Sequence, residues 1–112
     1  MTQQKFIRAK EGKWIELDFL PGVKLLPLAE PVKGGSIHKA TLTKGTTIPA
    51  HTHPADEYVL VLSGTIETGG VKCEAGDFWT TPKHVRQGPH LALTDVEIIT
   101  VRLGLMGEFE KI

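Results

Sequence analysis

Two histidines one residue apart, with a glutamate four residues further on, are the side chains of this 112-residue chain best suited to chemistry. They are His51, His53 and Glu57, inside the stretch from Gly45 to Gly64 that reads GTTIPAHTHPADEYVLVLSG. On an extended strand, residues i and i+2 leave the same face, so both imidazoles point one way. Glu57 has the same parity once the chain returns to strand. The turn-like Pro54-Ala55-Asp56 precedes it, and the strand formers Tyr58-Val59-Leu60-Val61-Leu62 follow. Two neutral imidazoles and a carboxylate form a mixed nitrogen and oxygen donor set suited to a divalent transition metal. The plainer alternative is two surface strand histidines and an outward glutamate paired with a lysine.

The elements that must position these residues read as strands. Lys5-Phe6-Ile7-Arg8 is predicted as a short strand or an arm. Lys13 to Phe19 alternates, with Trp14, Glu16 and Asp18 on one face and Ile15, Leu17 and Phe19 on the other. After the Pro21-Gly22 turn, Val23 to Leu26 forms another strand, and Pro27 and Pro31 keep the chain off the centre of a sheet. Ser36 to Leu42 places Ile37, Lys39 and Thr41 on one side and His38, Ala40 and Leu42 on the other. Gly64 to Cys73 reads as a hairpin with a Gly69-Gly70 tip. The turn Ala75-Gly76-Asp77 leads into Phe78-Trp79-Thr80-Thr81. Pro82 to Pro89 is irregular, Leu91 to Thr94 extends, and Val96 to Leu103 is the clearest late strand. The tail from Gly104 to Ile112 is an arm or a strand. No stretch carries helical periodicity with caps. Short strands punctuated by glycine turns predict a small all-β sandwich or barrel.

Composition narrows the function classes. Thirteen basic residues balance thirteen acidic ones, so no electrostatic footprint points to nucleic acid or an anionic membrane. The N-terminus is polar, no apolar run approaches spanning length, and a cytoplasmic location is the expectation. The single cysteine, Cys73, excludes an internal disulfide and reads as a small buried hydrophobe. Tyr58 and Trp79 read as core aromatics, and one of Phe78 and Trp79 walls any cavity. Arg86 and Arg102 are candidates to hold an anionic substrate, against the ordinary reading of each as a surface arginine. His38 either lines a pocket or is a solvent-facing or core-satisfied histidine.

The spacing Gly, five residues, His, one residue, His, three residues, Glu, six residues, Gly resembles the first signature motif of the cupins at every specified position. Those five residues coincide by chance on the order of once in ten million starting positions. A second cupin motif is half present: Gly76 to Pro82 fits, but His84 stands at the usual glycine, Gln87 at the usual histidine and Leu91 at the usual asparagine. Three readings of the missing ligand stay open. Gln87 faces the site with its amide; His90 replaces the histidine across a Gly88-Pro89 bulge, against strand parity; or His84 folds back from the turn on a glycine-like backbone.

The resemblance implies a single jelly-roll β-barrel domain over residues 1–112. Its core covers about 35–103, and extra N-terminal strands within 1–34 stand at a homodimer interface. It also implies a divalent transition metal (Fe, Mn, Ni or Zn) held by His51, His53, Glu57 and Gln87, or alternatively His90. With a small-molecule substrate or ligand, the implied activity is that of a mononuclear-metal dioxygenase acting on a dicarbonyl or hydroxy-ketone. The alternatives are a redox-silent isomerase or hydrolase, and a binding module without turnover.

Overall fold

Strand alternation decides the architecture, because each strand has one face of apolar side chains that only a second sheet can cover. The structure, a computed structural model, describes residues 3–106 and 108–110. Ten strands follow in order: β1 (Ile15–Glu16), β2 (Val23–Ala29), β3 (Ser36–Leu42), β4 (Thr47–Ile48), β5 (Glu57–Ser63), β6 (Thr65–Thr68), β7 (Val71–Glu74), β8 (Phe78–Thr81), β9 (His90–Ala92) and β10 (Val96–Arg102). They pair antiparallel in two sheets, β1-β2-β3-β10-β5-β8 and β4-β9-β6-β7. The described strands form two facing ladders and do not close into one continuous barrel, an arrangement consistent with a jelly roll. No helix among the described residues is long and apolar enough to cross a membrane.

The expected strands over Ser36–Leu42 and Phe78–Thr81 and the hairpin with its Gly69-Gly70 tip are present. Lys5 to Arg8 forms no strand: its side chains are exposed and find no pairing partner among the described residues. The alternating stretch after it pairs only over Ile15–Glu16, against β2. Pro27 is tolerated inside β2 because the β2–β3 register shifts between Pro27 and Ala29. Tyr58 is not a core aromatic. It lies on the outer face of β5 and stacks on Phe78, ring centroids 6.5 Å apart. The buried residues of that strand are Glu57, Val59 and Val61. Cys73 is buried as expected.

The register of the large sheet grades its inner face. β10 lies between β3 and β5, so Ile98 is flanked by Ala40 and Val61, and Thr100 by His38 and Val59. One row further, Arg102 is flanked by Ser36 and Glu57. One end of the interior is therefore aliphatic, centred on Leu42, Val59, Val61 and Ile66, each buried to 1% exposure. The other end gathers buried ionisable groups.

Candidate functional site

His51 and His53 stand on the extended link between β4 and β5, and both are buried. The backbone of His51 exchanges two hydrogen bonds with that of Gln87, at 3.1 and 2.9 Å, which fixes the link against the irregular segment before β9. Nδ1 of His51 donates to the Pro49 carbonyl at 2.7 Å, and Nδ1 of His53 to the Glu108 carbonyl at 2.6 Å. A carbonyl oxygen only accepts, so in each neutral ring the hydrogen is on Nδ1 and Nε2 keeps its lone pair. The two Nε2 atoms are 3.1 Å apart, and Oε2 of Glu57 is 3.3 Å from that of His53.

Burial lowers the pKa of both imidazoles; the Arg102 charge adds to this at His53. Both rings are thus held neutral. For Glu57, burial alone would raise the pKa, but the Arg102 charge, then His53, then the Arg102 hydrogen bonds and the nearby Gln87 amide outweigh it, and the carboxyl ends below its ordinary value. Three acceptor atoms consequently face one another. Such atoms repel, and a cation between them removes the repulsion; two imidazole lone pairs suit a divalent transition metal. The backbone acceptors behind each ring are the orienting partners that metal-binding histidines ordinarily have.

The carboxylate is differently placed from the expectation. Arg102, expected as a surface or substrate arginine, is buried and donates to Glu57 Oε2 through Nε at 2.8 Å and through Nη2. Glu57 is paired with this arginine and not with a lysine. Among the described residues no group of three or more His, Cys, Asp and Glu side chains stands in a metal-holding arrangement. The imidazoles fit a metal; the carboxylate is already engaged.

Gln87 and His90 both turn inward, and Gly88, at φ 83° before a cis Pro89, breaks the strand between them. That glycine defeats the parity rule that sets positions 87 and 90 on opposite faces. Neither amide atom of Gln87 makes a full hydrogen bond to a described residue, although the amide lies close enough to Glu57 to help lower its pKa. His90 stacks on Trp79 at 5.8 Å and stands 5.6 Å from His51, ring centroid to ring centroid. Its Nδ1 has no partner among the described residues, and burial lowers its pKa to about 4. His84 does take the glycine-like backbone, at φ 63°, but its side chain points outward and bonds Glu110 at 2.8 Å. It does not fold back into the site.

His38, for which the sequence left a pocket-lining and a core-satisfied role open, is buried, lowered by burial to a pKa of about 4, and lines the same cavity. Two contacts of the site have no counterpart in the sequence expectations. Arg102 shares a cross-strand pair with Glu57, which no local pattern announces. Phe109, in the tail, covers both imidazoles with centroids at 4.9 and 4.8 Å. Of the two aromatics on β8, Trp79 walls the cavity and Phe78 is exposed.

Comparison with known proteins agrees with this architecture. KdgF from Halomonas sp. superposes with a TM-score of 0.76 at 20% identity, covering 89% of this chain and 94% of that one. An acetylacetone dioxygenase from Acinetobacter johnsonii gives 0.79 at 12% identity over 93% and 76%. The structure of Rhodobacter sphaeroides SigE in complex with the anti-sigma ChrR gives 0.72 at 21% identity over 85% of this chain and 51% of that chain. At these identities the likeness is one of fold. No curated protein sequence matches the chain. A model of the ChrR cupin-like domain, however, matches residues 2–107, nearly the whole length. With the paired histidines at one end of a jelly-roll sandwich, the chain belongs to the ChrR cupin-like family.

Proposed function

We propose that this protein is a metal-dependent cupin that holds one divalent transition metal through Nε2 of His51 and His53 and acts on a small oxygenated molecule. The observation that carries the reading is the convergence of two Nε2 lone pairs 3.1 Å apart, each fixed by an Nδ1–H donated to a backbone carbonyl. Glu57 stands beside the pair as a further oxygen donor, and Gln87, or alternatively His90, faces it from the opposite side. When bound, such a metal polarises a chelating oxygen as a Lewis acid and, if redox-active, adds oxygen chemistry.

The chain's own residues do the rest. The two imidazoles fix the position of the cation. Arg102 keeps Glu57 ionised, so that the carboxylate remains an acceptor at low pH. The aliphatic walls and Phe109 restrict water around the donors. With iron, the reading is dioxygenase-type cleavage of a dicarbonyl, the substrate class that the name of the Acinetobacter relative indicates. A homodimer built through the N-terminal strands, and a cytoplasmic setting, complete the proposal.

A second reading, a binding module without turnover, is supported by the engagement of Glu57 with Arg102. That pairing leaves two imidazoles where a catalytic cupin site has a fuller donor set. One experiment separates the two. The protein is purified without chelators or affinity nickel, its metal content is measured beside the His51→Ala/His53→Ala variant, and oxygen uptake is followed with pentane-2,4-dione. Near-stoichiometric iron that is lost in the variant, with uptake in the parent, is the expected result. Metal without uptake favours the binding module or a redox-silent enzyme. A parent that takes up no metal even on reconstitution overturns the proposal.

A further inference from the structure

The segment after β10 returns over the site, and three of its residues grip the histidine link. Glu108 accepts from His53 through its backbone. Phe109 covers both imidazole rings and meets Phe19 edge to face at 5.7 Å. Glu110 exchanges backbone hydrogen bonds with Thr52 at 2.8 and 3.2 Å, and its carboxylate accepts from Thr52 Oγ1 and His84 Nδ1. Beneath Phe109 is an inner cavity of about 60 Å³ that the imidazoles line; outside it is an apolar pocket of about 370 Å³. The two share Leu20, Ile48, His51 and Phe109 as a common wall. Leu20 and Ile48 are buried core residues, and His51 is tied to Pro49 and Gln87. Phe109 alone of the four belongs to the terminal segment that follows β10.

We propose that Phe109 is the gate and the size- and polarity-selecting residue of the site, admitting from the outer pocket a ligand with an apolar body and an oxygen-bearing end. Binding sites for small organic molecules run from about 300 Å³ upward, so the inner cavity holds only the reacting end, whereas the outer pocket holds the body. Phe19, Leu20, Ile48, Pro49 and Ala50 line that outer pocket and offer the body carbon surface. The oxygen end of the ligand rests on the metal reading above; the gate itself does not.

The test uses diethyl pyrocarbonate, which carbethoxylates neutral imidazole nitrogens, on full-length, EDTA-treated protein, with modification of each histidine followed by peptide mass spectrometry. His51 and His53 are expected to react about tenfold more slowly than exposed His84 in the parent, and about tenfold faster in Phe109→Ala than in the parent. Phe109→Leu, which keeps most of the volume, is expected to stay near the parent. Cys73, buried in the other sheet, reports on opening of the whole sandwich through its reaction with a disulfide reagent. It should remain unreactive in all three proteins. Octan-2-one should slow labelling of His51 and His53 in the parent, and acetate should not. Equal histidine rates in parent and Phe109→Ala, or a rise matched by Cys73, overturn the gate. Protection by acetate equal to that by octan-2-one overturns the apolar body. Since labelling needs no metal, failure here is distinct from failure of the metal reading.

Discussion

On the large-sheet side of the imidazole pair, Glu57 and Arg102 satisfy each other through two donated hydrogen bonds at 4% and 5% exposure. Toward β9, Gln87 and His90 are also buried, yet three of their polar atoms have no partner among the described residues. The first flank is held by register: β10 pairs with β5 so that the two charges sit directly across from each other. The second flank runs across a break at Gly88, from Gln87, bridged to His51, to His90, which opens β9 opposite Ile48 and Thr68. A buried charge left unpaired costs far more than a buried amide left half-satisfied. The difference teaches that one flank satisfies its own charges, whereas the other leaves three polar atoms without a partner among the described residues.

The sharpest way to break this contrast is to remove Arg102. Arg102→Met leaves Glu57 charged, buried and alone, and should cost about 3–5 kcal/mol in urea unfolding. Adding Glu57→Gln to it should recover a substantial part. If Arg102→Met unfolds like the parent, the pair is not what holds that flank.

Acid should act next, on the buried histidines around the pair. His38 and His90 have folded-state pKa values near 4 against 6.5 unfolded. The unfolded chain therefore binds more protons between those values, and stability falls as pH drops from about 6.5 to 4. Each ring accounts for on the order of 3 kcal/mol across that window. Replacing His38 by Phe should flatten the profile by about one proton's slope; an unchanged profile would exclude His38 as a source.

The smallest stability effect is expected at Gln87. Gln87→Met removes an amide that makes no full hydrogen bond, so unfolding should change by less than about 1 kcal/mol. Gln87→His should change the amount or identity of bound metal, because imidazole is the better ligand for late transition metals. If Gln87→Met is strongly destabilising, the amide is structural and the contrast between the flanks fails.

The alternation of Ser36–Leu42 and Val96–Leu103 and the turn glycines were enough to read the strands. These signals are local, and one inward face per strand is dictated by the pleat. Of the two expectations for Lys5–Arg8, strand or arm, the strand is absent because a short apolar-basic stretch becomes a strand only if a sheet edge accepts it. Tyr58 was misread because an aromatic on a strand can face either way, and its alternation with the inward Glu57 and Val59 sent it outward. At the site, the shared face of His51 and His53 was legible from their spacing alone. Arg102 was not, since its partner is 45 residues away and reached only through the β5–β10 register.

What the sequence by itself determined is therefore the class of fold, the family motif and the pairing of two histidines on one face, all consequences of period-two geometry and short spacing. What only the tertiary structure decided is which groups surround that pair: Arg102 on Glu57, Gln87 and His90 both inward around Gly88, and Phe109 across the rings. Those contacts join segments far apart in the chain. Their existence depends on sheet register and on where a terminal segment comes to rest, neither of which is written in a local pattern; the Gly88-Pro89 break was offered by the sequence as one of three readings, and only the fold chose it.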